Sequence, residues 1–168
     1  SISINLILIK IKVLSLMFRL TKDNRDWFVG INKTFSTEFD MYYLCLIVGI
    51  AANEKGEAPA LGDLIAYFPS DYTNYSSSIL GIILVAEAGN LGISIEEKNQ
   101  AQEHLGVFID PGNLSKLSYA GIKSANQYAD GGCGILRAKL QKPNHLGAFL
   151  NKYKNLINEE IVKNKNFT

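Results

Sequence analysis

The chain has 168 residues and a mass of 18.6 kDa, the size of one domain, with 47% apolar and 20% charged residues. Those figures exclude a wholly disordered chain, and 14 glycines and 4 prolines without a fixed period exclude collagen-like and proline-rich linker classes. A net charge of +1 excludes an overall polycation.

Residues 1–16, SISINLILIKIKVLSL, contain only Ser, Ile, Asn, Leu, Lys and Val. Two readings stand. Met17 is the first methionine, which makes the stretch a non-native leader; or Ile2, Ile4, Leu6 and Leu8 alternate as an edge strand whose phase shifts at Ile7, Ile9 and Ile11. Lys10 and Lys12 interrupt the apolar run and no basic region precedes it, so a signal peptide is not expected. It is also too short and too charged for a bilayer span. No function is assigned to it. The remaining expectation is a single helical domain over 17–164 and a frayed tail at 165–168.

Thr21 to Ile31 reads as a short helix capped by Thr21 or Asp23, with Trp27 and Ile31 on one face. Thr37-x-x-Asp40 resembles a capping box ahead of Phe39–Ala52, a run apolar on all sides and therefore a buried core helix. After the polar loop NEKGEAPA, Leu61, Leu64, Ile65 and Phe68 recur at helical spacing until Pro69. PSDYTNYSSS reads as a surface loop ending in a cap at Ser76 or Ser77. A second apolar helix, Ile79–Ala88, closes at Gly89. Ser94-Ile95-Glu96-Glu97 is a capping box opening a polar helix to about Leu105, and Asp110-Pro111-Gly112-Asn113 is a turn. Leu117–Ala129 reads as a helix stopped by Gly131-Gly132, while 133–141 is ambiguous. Pro143 and Asn144 introduce the clearest element, where Leu146, Phe149, Leu150, Tyr153, Leu156, Ile157 and Ile161 trace one helical face. The class is all-α: a compact domain of about seven helices, with strand signals confined to the first twenty residues.

Charge is divided along the chain. Residues 1–33 carry six basic and two acidic side chains, net +4; residues 34–110 carry two basic and eleven acidic, net −9; residues 111–168 carry nine basic and three acidic, net +6. Such asymmetry points to an acidic partner or nucleic acid at a basic face, against the alternative of a merely solvated surface. Lysines neutralise phosphates whatever the base sequence, so the basic third predicts salt-sensitive, non-specific binding. The candidate nucleic-acid residues are Arg137, Lys139, Lys142, Lys152, Lys154, Lys163 and Lys165. Tyr72 and Tyr75, in Asp71-Tyr72-Thr73-Asn74-Tyr75, are weaker candidates for stacking on bases.

Enzymatic chemistry is barely visible. His104 and His145 lack metal-ligand spacing, and helix-terminal roles account for both. Glu96-Glu97 and Glu159-Glu160 point to different sides of a helix, so neither is an acid/base couple. Gly131-Gly132-Cys133-Gly134 lacks the Lys-Ser/Thr of a phosphate loop. Cys45 reads as a small hydrophobe within an apolar run; Cys133, in its glycine setting, could expose a thiol, and a hydrolase-like Cys–His pair is the third reading. Two cysteines without C-x-x-C spacing suit a reduced, cytoplasmic protein. No metal or cofactor is expected.

The run FDMYYLCLIVGIA (39–51), followed by NEKGEAP, resembles the central helix of small helical accessory proteins of bacterial DNA phosphorothioation and related phage-defence systems. The likeness covers residues 39–59 and carries over no functional residue. It implies a non-enzymatic, DNA-associated accessory protein that assembles with itself or with enzyme partners. The leading expectation is therefore such a protein, binding nucleic-acid backbone through its Lys-rich C-terminal third. The alternative is an assembly subunit that binds only protein, through its apolar helices or its acidic middle region, and no membrane partner is expected.

Overall fold

A computed structural model describes residues 2–165, and among them the fold is all-α. Its seven α-helices are α1 (Ile2–Ser15), α2 (Lys22–Trp27), α3 (Phe39–Ala52), α4 (Ser76–Leu91), α5 (Lys98–Leu105), α6 (Tyr119–Lys139) and α7 (Leu146–Lys163). Strands β1 (Phe18–Arg19) and β2 (Asp63–Ile65) form one small antiparallel pair. The tail expectation at 166–168 falls outside the described residues.

The centre is the crossing of α3 on α6. Helix α3 is apolar all round because α6, α7 and α4 surround it and Phe18 and Phe68 pack on its own Phe39 and Tyr42. Only half of the Thr37-x-x-Asp40 box forms at its start, where Glu38 is the N-cap. The Thr37 hydroxyl accepts from the Phe39 amide, and the Asp40 carboxylate accepts from the Ser36 and Thr37 amides. Its end turns at Asn53 in the left-handed region, and Asn164, beyond α7, donates to the Ile50 and Ala51 carbonyls.

The expected stop at Gly131-Gly132 is overturned. Helix α6 runs through both glycines, and Cys133 is fully buried rather than exposed on a flexible loop. The cause is packing. A Cβ at Gly132 would strike the Cys45 carbonyl, one at Gly49 the Tyr128 carbonyl, and one at Gly131 the Glu54 carbonyl. The absent side chains let two helix backbones approach, which outweighs a helix-propensity loss of about 1 kcal/mol per glycine.

Four further expectations change. Residues 2–15 form a solvent-exposed helix, not an edge strand: the only strand pairing nearby belongs to β1, so the segment satisfies its backbone internally. Leu61–Phe68 is not helical. The Leu20 amide donates to the Gly62 carbonyl at 3.0 Å, Gly62 takes φ +96°, and Ile65 pairs with Phe18. Helix α4 follows a 3-10 turn at Ser70–Tyr75 without a serine cap, and ends at Gly92 instead of Gly89. The Ser94/Glu97 capping box does not form, and α5 starts after Glu97 without a side-chain cap. The Thr21 cap, the Asp110–Asn113 turn and the buried Cys45 stand as expected; of the α7 stripe, Phe149 and Leu156 are buried and Leu146, Tyr153 and Ile157 pack on the core, while Leu150 and Ile161 are exposed.

Gly132→Ala is expected to destabilise the fold by at least about 3 kcal/mol in urea unfolding, because overpacking meets backbone that cannot move aside. Burial, first among the causes, raises the hydroxyl pKa values of Tyr42, Tyr72, Tyr128 and Tyr153. The folded chain therefore keeps protons that the unfolded chain loses above pH about 10, so the stability these tyrosines contribute is present below that pH and is lost as pH rises. Thermal melts should stay level to about pH 9 and fall steeply above about pH 10, with tyrosinate absorbance rising on unfolding.

Candidate nucleic-acid interface

The fold joins two basic segments that lie more than a hundred positions apart. Helix α2 is too short to stand alone and is fixed from its buried Asn24, which donates to Asp130 Oδ1 (3.2 Å) and accepts from Arg137 Nη1 (3.1 Å). Trp27 then packs edge-on against Phe149 of α7, and Gly30 lies against the Pro143 carbonyl with no room for a Cβ. Lys22, Lys142 and Arg25 all act on Asp26, and Arg137 reaches Asn24, so the +4 and +6 segments adjoin at α2, although Lys22 and Arg25 line one depression and Lys142 and Lys152 another.

The seven residues singled out from the sequence do not act as one patch. Lys142 and Lys152 line the same shallow depression, of about 80 Å³, beside Asn144 and His145 at the start of α7. Its His145 caps the helix, with Nδ1 accepting from the Ala148 amide at 3.2 Å. Lys139 is committed elsewhere. It pairs with Glu160, a carboxylate only 7% exposed, and Lys163 approaches the same oxygen at 3.9 Å. That hydrogen bond raises the Lys139 pKa. Arg137 and Lys139 also occupy the last turn of α6, where cations oppose the helix dipole. Lys154 is two residues from Lys152 and so sits on a different flank of α7, and Lys165 lies beyond the helix.

Sequence reasoning misses Lys22 and Arg25. Lys22 bonds to Asp26, which raises its own pKa and lowers that of Asp26; Lys142 adds to the lowering. Their one legible signal is the +4 charge of the N-terminal segment, which nothing in the local pattern ties to the C-terminal lysines.

A second polar cluster is equally unforeseen. Glu87, inside the apolar α4, accepts from the Ser124 hydroxyl and pairs with Lys55, whose Nζ lies 4.9 Å from the Tyr128 ring centroid. The Glu87 charge and burial hold the Tyr128 hydroxyl above its usual pKa, burial being the larger cause. Ser124 and Glu87 are buried, so the cluster is a satisfied core network that ties the 53–60 loop to α4 and α6. A lone carboxylate in so apolar a helix is its one legible sign.

The Cys–His reading loses its geometry: Cys133 is buried between α6 and α3, whereas His104 and His145 are exposed at the ends of other elements. Tyr72 does not present its ring for stacking. It packs on Phe39 and Tyr43 and donates to Asp40. Among the described residues, no group of three or more His, Cys, Asp or Glu side chains is placed to hold a metal, and no helix is long and apolar enough to cross a membrane.

No protein family, curated protein or solved structure matches this chain.

Lys139→Met leaves the Glu160 carboxylate with a single distant cation. It is expected to lower the midpoint of urea unfolding.

Proposed function

We propose that this chain is a helical accessory protein of a bacterial or phage DNA-transaction or defence system that binds nucleic-acid backbone. The supporting observation is the convergence of α2 with the end of α6 and the start of α7, which assembles Lys22, Arg25, Arg137, Lys142 and Lys152 from two distant basic segments. Glu38 of the acidic middle region stands beside Arg25, with Oε2 at 3.9 Å from Nη1, but Glu96, Glu97 and Glu103 belong to α5 and its approach, at the opposite end of α6. There the 3-10 turn at Gly106–Phe108 after α5 is pinned by the Ser118 amide donating to the Phe108 carbonyl at 3.0 Å. A phosphate chain meeting the α2–α7 end avoids Glu96, Glu97 and Glu103. Both cysteines are free, which suits a reduced cytoplasmic setting.

A second reading, an assembly subunit that binds protein alone, is favoured by one feature. An apolar cleft of about 460 Å³ runs between α4 and α5, lined by Leu84, Val85, Ile95, Leu105 and Ile109. Sedimentation giving a clean monomer at high concentration removes its support.

Fluorescence anisotropy with labelled duplex, nicked and single-stranded DNA between about 50 and about 200 mM salt tests the main reading. Binding should weaken steeply with salt. The double variant Lys142→Glu/Lys152→Glu should bind more weakly and reduce the salt slope by about 2, while Lys154→Glu, on its separate flank, should change it less. Absence of binding by the unaltered protein at the lowest salt sinks the nucleic-acid reading.

A further inference from the structure

Beside α2 lies a cleft of about 500 Å³, bounded on one side by Thr21, Lys22 and Arg25 and on the other by Pro59, Ala60 and Leu61. Its size is that of a small-ligand site. Two features of its walls are unusual. Among the described residues the Arg25 Nε is buried without a hydrogen-bond partner, and the Glu38 carboxylate lies with Oε2 at 3.9 Å from Nη1, beyond hydrogen-bond length. A buried donor without a partner is costly, and the Nη groups of this partly exposed guanidinium match the oxygens of a phosphate. Across the cleft, Leu61 is 82% exposed, although its loop is firmly held. The Gly62 carbonyl accepts from Leu20, the Glu57 amide donates to Asp130 Oδ2 at 3.0 Å, and β2 follows at once. A large apolar side chain kept in water by a pinned loop marks a contact surface more than a mobile excursion.

We propose that this cleft seats one unpaired nucleotide of a nucleic-acid strand, its phosphate on the Arg25 guanidinium and its base on the apolar wall of Pro59 and Leu61. The proposal rests on the backbone-binding function above and adds a preference to it. Bases within a continuous duplex are stacked away from such a wall, whereas bases of a single strand can lie against apolar side chains. Lys22, at the mouth, adds positive charge once its exposed pair with Asp26 opens. Asp23, also in the lining, works against an anion and limits affinity for free phosphate.

The experiment compares a labelled thymidine oligonucleotide with a blunt duplex, by anisotropy at about 50 mM salt, for the full chain and for Arg25→Gln, Arg25→Lys, Leu61→Ser and Lys142→Glu/Lys152→Glu. Leu61→Ser should weaken oligonucleotide binding about tenfold and leave duplex binding within about twofold, whereas Arg25→Gln, at a residue that also belongs to the backbone-binding surface, should weaken binding of both ligands, that of the oligonucleotide several-fold more. Arg25→Lys should fall between, keeping charge but losing the forked donor set. Lys142→Glu/Lys152→Glu should weaken both ligands. Leu61 is so exposed that its variant is expected to fold even where Arg25→Gln does not, which circular dichroism checks. Equal effects on both ligands, or none from Leu61→Ser, overturn the cleft while leaving the backbone reading intact. No binding of either ligand by the unaltered protein overturns both. Complete displacement of the oligonucleotide by a nucleoside monophosphate overturns the strand in favour of a free nucleotide.

Discussion

Everything in this molecule is arranged around the contact of α3 with α6, where two helix backbones meet without intervening side chains. Gly49 lies against the Tyr128 carbonyl, Gly132 against the Cys45 carbonyl, and Gly131 against the loop that leaves α3. Close approach buries Cys45 and Cys133 completely and leaves no space for a residue larger than glycine at three positions. It also fixes the line of α6, about 30 Å long by its 21 residues, onto which the remaining elements dock.

Docking on that axis sorts charge. At the start of α6, the turn after α5 attaches through Ser118 and Phe108, which keeps the acidic residues of α5 and its approach at that end. At its finish, Asn24 and Arg137 bring α2 against the last turns, and α7 begins beside Lys142. The α6 dipole favours cations at this finish, so helix electrostatics and chain topology act in the same direction. Separation is incomplete, since Lys116 and Lys123 remain near the start of α6 and Glu160 draws in Lys139 and Lys163. A buried carboxylate is tolerable only when paired, so part of the basic third serves the fold itself.

Asn126 illustrates how one polar side chain connects the peripheral strand to the core. Its Oδ1 accepts from the Arg19 amide and the Tyr42 hydroxyl, and its Nδ2 donates to the Met17 carbonyl. These bonds place β1, and through β2 they also place the loop that carries Leu61. The Leu61 wall of the cleft beside α2 is thus held by the same residue that satisfies the fully buried Tyr42. Among the described residues helix α1 has no comparable anchor; beyond its own turns, the Arg19 guanidinium donates to the Leu14 carbonyl.

Local pattern by itself determined the all-α class, the buried α3 with the Asp40 half of its Thr37/Asp40 box, the buried part of the α7 stripe, the His145 terminus and the Asp110–Asn113 turn. Each depends on residues within one or two helical turns, and periodicity reports such burial directly. Tertiary structure decided what depends on distant neighbours. Gly131 and Gly132 read as breakers until α3 lies against them; Leu61–Phe68 reads as a helix until Phe18 pairs with Ile65; and Lys22 and Arg25 read as an unrelated basic start until Asn24 meets Arg137. The physical reason is common to all three. Propensity and spacing describe energies of about 1 kcal/mol per residue, and long-range packing or strand pairing outweighs them through contacts between residues that no single stretch of sequence contains.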